Sequence, residues 1–289
     1  MAIDDREQFF TTSDGPRIHF REYRPSDGEN KPAVLCLHGM TRNERDFEVL
    51  GPRIARLGHR VIVPSQRGRG MSDWDAKPER HNPAVYAADM LALLDHLGVH
   101  KAIFIGTSMG GAITMVSATL APQRLIAAVL NDVGPEIDPA GLERIRGFVG
   151  LEKAARSWEE AAGLCRNING LAFPNQSDPA FWLSFAKRIF REKGSGRIEL
   201  DYDPQIRWSL AETSGPRPDL WPVFDALRSI PTLVIRGDIT DVLMISTVAE
   251  MRRRKPDLTV ASVHSVGHAP FMTEPEAWQA LEDFLCRIK

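Results

Sequence analysis

An α/β fold, with a mostly parallel sheet covered by helices on both faces, is predicted by three features of the chain. Short, continuous apolar runs alternate with segments of helical spacing along most of its length. The runs lack the polar/apolar alternation of a half-exposed strand, as expected of strands buried on both faces. Several runs end in short polar or glycine-containing turns. Right-handed crossovers would line these turns up along one sheet edge, where open α/β sheets bind ligands.

Residues 17–23 (RIHFREY) alternate polar and apolar and predict an early antiparallel strand. Residues 33–37 (AVLCL) predict a buried strand that leads directly into His38-Gly39-Met40. Phe47, Leu50, Ile54 and Leu57 share one face of a predicted helix. Residues 60–64 (RVIVP) predict the next strand, which ends in the glycine-rich turn QRGRGMSD. Residues 82–97 predict an amphipathic helix with Asn82 as N-cap and Pro83 in its first turn. A strand over 102–105, a helix over 110–120 and a strand over 125–130 follow. Between 135 and 216 only helical segments and loops such as FPNQSDP and EKGSGR are expected, and Trp158, Trp182 and Trp208 fall there. Alternation then resumes with strands over 232–235 and 258–263 and helices over 244–253 and 275–288.

A chain of 289 residues suits one large domain, or one domain with an insertion. A formal net charge of −2 gives no pull toward nucleic acid or an anionic membrane. The basic run from Arg252 to Lys255 fits the last turn of a helix, where cations suit the dipole. No apolar run reaches the roughly 18 residues of a membrane span, and the N-terminal MAIDDREQFF lacks a signal-peptide core. Cys36, Cys165 and Cys286 are scattered and odd in number, which predicts neither disulfides nor a metal site. The expectation is a cytoplasmic protein acting on a small molecule, with no nucleic-acid or membrane partner. Oligomeric state is left open.

The segment KAIFIGTSMGGAIT places a serine where a buried strand turns into a helix. Gly106-Thr107-Ser108-Met109-Gly110 has the spacing G-x-S-x-G, in which a strained turn projects the serine above the sheet edge. The glycines let strand and helix approach closely, and the unpaired first amides of the helix favour an anion nearby. A serine hydroxyl needs a base within hydrogen-bond reach, and the base needs an orienting group. His268, in VGHAPF between the last strand and the last helix, is the candidate base. His38 is a second-tier candidate for lining the site. For the orienting acid, Asp132, Asp238 and Asp241 all end strands between the serine and the histidine.

Together LCLHGM, PSQRGRGMSD, GTSMGG, RGDITDVL and GHAPF resemble the α/β-hydrolase superfamily over nearly the whole chain. The resemblance implies a core over 1–134 and 217–289 and a helical cap over 135–216 roofing the serine. It implies Ser108 as nucleophile, His268 as base and Asp241 as acid, because RGDITDVL is similar to the variant G-x-x-[ST]-D-x-L; Asp132 is the alternative. It also implies an oxyanion hole made by the backbone N–H groups of Met40 and Met109, and no metal or organic cofactor. Trp74, Trp158, Trp182, Trp208 and His38 are candidate pocket residues. Ser65 stands where the family often has aspartate. The implied activity is a serine esterase, lactonase or thioesterase on a small or medium apolar acyl group. A carbon–carbon bond hydrolase of ring-cleavage diketones is the runner-up, and a ligand receptor with little turnover is the alternative of another class.

Overall fold

The computed structural model describes residues 2–26, 28–151, 154–194, 196–210 and 219–288. The chain opens with a hairpin of β1 (Ile3–Thr11) and β2 (Arg17–Pro25). It continues through β3 (Ala33–Leu37), α1 (Leu50–Ala55), β4 (Val61–Pro64), α2 (Pro83–His96), β5 (Ala102–Thr107), α3 (Met109–Leu120) and β6 (Leu125–Asn131). After β6 it leaves the main sheet for α4 (Pro139–Arg146), β7 (Ala154–Ala155), α5 (Trp158–Asn169), α6 (Pro179–Ile189), β8 (Phe190–Glu192) and β9 (Ile198–Leu200). It returns through α7 (Trp221–Asp225), β10 (Thr232–Gly237), α8 (Ile245–Arg254), β11 (Thr259–Val263) and α9 (Pro275–Arg287).

Eight strands form the main sheet in the order β1-β2-β4-β3-β5-β6-β10-β11. The β1–β2 and β2–β4 pairs are antiparallel and the remaining pairs parallel. The central strands β3, β4, β5 and β6 are almost wholly buried, which is why they read as unbroken apolar runs. One hydrophobic cluster lies on each face, the first reaching α9 and the second α2 and α3. Asn82 caps α2 as expected, its side chain accepting from the N–H groups of Ala84 and Val85. The basic run ends α8. No helix among the described residues is long and apolar enough to cross a membrane.

Two features depart from expectation. β1 sits at the sheet edge with most of its side chains exposed, so MAIDDREQFF carries no core pattern to reveal it. The region 135–216 was expected to lack strands, yet β7, β9 and β8 form a separate three-stranded sheet. Two- and three-residue strands are too short to display a period. Within this region α4 packs on the loop after β10: a Cβ on Gly141 would lie 2.2 Å from the Asp241 carbonyl oxygen. The loop after β3 is tied to α6 and β8: Arg45 donates to the Lys187 carbonyl at 2.9 Å and the Phe190 carbonyl at 3.2 Å, and Asn43 to the Arg188 carbonyl at 2.9 Å. The expected boundary at 216/217 touches residues 211–218, outside the described residues.

The tightest packing surrounds the turn from β5 to α3. A Cβ on Gly106 would lie 2.3 Å from backbone atoms of Gly110, and one on Gly110 would lie 2.1 Å from the Leu37 carbonyl oxygen. Both obstacles are backbone, so neither can rotate away. Gly110→Ala is therefore expected to cost about 3 kcal/mol or more of stability, the upper range for overpacked cores, as read by urea denaturation. Wild-type stability in that variant would contradict the close approach.

Candidate active site

Ser108 follows β5 and precedes α3 with φ 51° and ψ −115°, a left-handed conformation that serine rarely adopts. Its Oγ lies 2.8 Å from His268 Nε2. On the other side of the ring, His268 Nδ1 lies 2.8 Å from Asp132 Oδ2. With a carboxylate facing Nδ1, the proton belongs on Nδ1, and Nε2 is left to accept from the serine hydroxyl. The His268 loop is braced by Asn131, whose Nδ2 donates to the Pro270 carbonyl at 2.7 Å and to Thr107 Oγ1 at 3.0 Å. It is also tied to the inserted region, Gly267 N–H donating to the Ala172 carbonyl at 2.8 Å.

The carboxylate that meets the imidazole is Asp132, the reserve choice, and not Asp241. Asp132 is fully buried at the end of β6 with φ 57°. Its Oδ1 accepts from Gly237 N–H at 3.0 Å, and its Oδ2 accepts from the Thr240 hydroxyl at 2.6 Å. RGDITDVL thus serves this centre by supplying donors rather than the acid. Asp241 turns instead to α4, where Arg144 grips both its oxygens at 2.5 and 2.7 Å. That guanidinium holds the Asp241 carboxyl below its ordinary range. Asp238 pairs with His264 at 2.9 Å.

The His38-Gly39-Met40 loop lies against the serine: a Cβ on Gly39 would sit 3.8 Å from Ser108 Cβ. The N–H groups of Met40 and Met109 have no protein acceptor among the described residues. His38 is not among the residues lining the cleft beside Ser108. Fully buried beneath the loop, its Nε2 accepts from Gln66 N–H at 3.0 Å, which leaves Nδ1–H to donate to the Gly39 carbonyl at 2.7 Å. The Gly39 carbonyl and the Met40 N–H belong to one planar peptide, so this bond fixes the direction of that N–H. Burial pushes the His38 imidazole down to about 3, so it stays neutral.

A cleft of about 700 Å³, open mouth included, lies beside Ser108 and His268. Its walls include Phe47, Met272 and Phe271 from the core and Ile145, Phe148 and Val149 from the inserted region, with Arg42 and Arg144 as cations. Arg42 is paired with Asp46 at 3.0 Å and Arg144 with Asp241. None of the four tryptophans named from the sequence lines this cleft. Trp182 is buried against Phe185 and donates to the Gln176 carbonyl, and Trp158 packs on the core. Trp74 and Trp208 are more than half exposed, away from the cleft. Bulk selected the tryptophans, but aromatic bulk more often packs helices together than lines a cavity. Ser65 hydrogen-bonds with Glu44, so a carboxylate stands one side chain away from where the family often keeps its aspartate.

A parallel sheet with a serine at the strained β5–α3 turn, met by an imidazole and a buried carboxylate, defines a class of enzymes. Residues 32–275 match the α/β hydrolase fold family, and the chain belongs to it and is a hydrolase. It is 34% identical over 267 residues to the 3-hydroxybutyrate-oligomer hydrolase of Cupriavidus necator, covering 90% of this chain and 89% of that one. It is 28% identical over 260 residues to the 2-(acetamidomethylene)succinate hydrolase of Mesorhizobium japonicum, covering 88% of each. A crystal structure of an α/β hydrolase from Novosphingobium aromaticivorans superposes with a TM-score of 0.89 at 43% identity, covering 99% of both chains.

Two spectroscopic outcomes follow from this geometry. The His268 Nδ1 proton, held against Asp132, should give a far-downfield proton resonance that Asp132→Asn removes and Asp241→Asn keeps; the reverse pattern would return the acid to Asp241. Nitrogen-detected imidazole spectra should show His38 as the neutral Nδ1–H form from about pH 8 down to about pH 5, whereas an ordinary histidine charges within that range. A His38 midpoint above about pH 5 would refute its burial as a neutral donor.

Proposed function

We propose that the protein is a serine esterase that hydrolyses short esters of small hydroxy acids through Ser108, His268 and Asp132. The observation that carries this is the unbroken line Asp132–His268–Ser108, with 2.8 Å at each join, ending beside an open cleft. Ser108 Oγ attacks the ester carbonyl carbon while its proton passes to His268 Nε2. Asp132 keeps the ring in the Nδ1–H form and stabilises the imidazolium. The Met40 and Met109 N–H groups receive the oxyanion of the tetrahedral intermediate. His268 then gives the proton to the departing alkoxide oxygen, and the alcohol leaves. Water, deprotonated by the same imidazole, attacks the acyl-enzyme and frees the acid and the serine hydroxyl.

In this reading residues 135–216 act as a cap. Arg144, Ile145, Phe148 and Val149 from that region stand in the cleft wall, which supports it. The choice of hydroxy-acid esters draws on the 34% identical relative that bears the name 3-hydroxybutyrate-oligomer hydrolase. The wall agrees with it in part, since its apolar side chains suit a short acyl chain, while its two guanidiniums are already paired with Asp46 and Asp241.

Fluorophosphonate labelling, with p-nitrophenyl butyrate and the 3-hydroxybutyrate dimer as substrates, tests the reading. The wild type should label and turn over both esters. Ser108→Ala should do neither. Asp132→Asn should lower kcat by about 10⁴, as loss of the orienting acid does in serine proteases. Labelling that survives Ser108→Ala, or a vinylogous diketone cleaved faster than any ester, would replace the proposal.

A further inference from the structure

Two arginines of the turn after β4 are buried to about the same degree and are answered differently. Arg67 is 1% exposed and meets three carboxylates: Asp14 at 2.9 Å, Asp75 at 2.6 Å and Asp89 at 2.7 Å. Arg69 is 0% exposed and, among the described residues, has no carboxylate within ion-pairing distance. Its partners are neutral. Nε donates to the Met40 carbonyl at 2.9 Å, Nη1 to the Arg67 carbonyl at 2.9 Å and to the Tyr86 hydroxyl at 2.5 Å, and Nη2 reaches Met109 Sδ at 3.5 Å. The guanidinium carbon also lies 4.9 Å from the centre of the Tyr86 ring. Burial raises the Tyr86 phenol, so it does not serve as a counter-anion. Arginine does not shed its proton inside proteins. A full positive charge is therefore enclosed with no fixed negative charge beside it, an arrangement that costs stability.

Its position accounts for that cost. Of the residues it touches, Met40, through its carbonyl, and Met109, through its sulfur, are the two assigned to the oxyanion hole. We infer that Arg69 is a positioning residue of that hole: it locks Met40 from the carbonyl side and places an unanswered positive charge behind the two N–H groups. Met40 is then held at both of its peptides, by His38 through the Gly39 carbonyl and by Arg69 through its own. Between turnovers the charge has only neutral partners among the described residues. When the carbonyl oxygen of a bound ester becomes an oxyanion, the missing negative charge appears on the far side of the loop. Charge that is unmatched in the ground state and matched in the transition state lowers the barrier rather than tightening substrate binding. The effect needs no contact between Arg69 and substrate, because a buried field is poorly screened.

The inference rests on the serine-esterase reading, and the experiment separates the two. Arg69→Met keeps the stem and removes the charge. Arg69→Lys keeps the charge and loses the fork. Both are compared with the wild type and with Ser108→Ala on p-nitrophenyl butyrate. Each is also titrated with a trifluoromethyl ketone, whose hemiketal oxyanion occupies the hole, and with the matching unfluorinated ketone. Arg69→Met should lower kcat about a hundredfold and weaken the trifluoromethyl ketone by a similar factor, within the range of a lost or misplaced oxyanion donor. KM and the plain ketone should shift by no more than about twofold, and Arg69→Lys should recover about tenfold or more of the loss in kcat. A merely structural arginine would move melting temperature without this split. Wild-type kcat in a folded Arg69→Met, or a loss confined to KM, overturns the inference. If Arg69→Met does not fold, Arg69→Lys decides: trifluoromethyl-ketone affinity within about tenfold of the wild type supports the charge, and a larger loss with unchanged melting overturns it. Turnover surviving in Ser108→Ala overturns the esterase reading itself.

Discussion

The site depends on how closely α3 can approach β3 and β5. Helix and strand meet at Gly106 and Gly110 with no room for a single carbon on either side. That approach forces the intervening residue into the left-handed region and lifts its side chain off the sheet edge. A serine on an ordinary strand-to-helix loop would find hydrogen-bond partners of its own. Here the backbone gives Ser108 one orientation, and the only protein side chain within hydrogen-bond distance of its hydroxyl among the described residues is His268. The conformational cost is met by packing across the buried central strands.

A second organising feature is that each polar element at this centre is oriented from behind by a buried group. Asp132 takes donors from Gly237 and Thr240, Asn131 braces the His268 loop, and His38 and Arg69 hold the peptides on either side of Met40. All of these partners stand on strand ends or on the turns directly after them. In the proposed mechanism, preorganisation of this kind would spare the reaction the work of reorienting dipoles and favour the charged transition state.

The inserted region plays a different part. It reaches the core through α4, with Arg144 on Asp241 and Gly141 against the loop after β10, and through the bonds of Arg45 and Asn43 to α6 and β8. Its side chains enter the cleft wall rather than the line of hydrogen bonds at Ser108. Because part of the cleft wall comes from a region separate from the sheet that carries Ser108 and His268, membership of the family does not by itself name a substrate.

The sequence by itself determined the parallel sheet, the strained serine turn and the pairing of Ser108 with His268. Buried strands, paired glycines and a histidine just past the last strand are local patterns, and local patterns survive in one dimension. It pointed to the wrong acid: Asp132 follows β6 and Asp238 and Asp241 follow its neighbour β10, and the resemblance of RGDITDVL favoured Asp241. The tertiary structure decided the matter: Asp132, held by Gly237 and Thr240, faces the imidazole, while Asp241 is paired with Arg144 of α4. The edge strand β1 and the small sheet of β7, β8 and β9 were hidden for want of a core pattern or of length. The tryptophans misled because bulk signals burial without saying which cavity, if any, a side chain faces. Arg69 gave no local signal: what sets it apart is that, among the described residues, it meets neutral partners and no carboxylate, and that can be recognised only when the neighbours are in place.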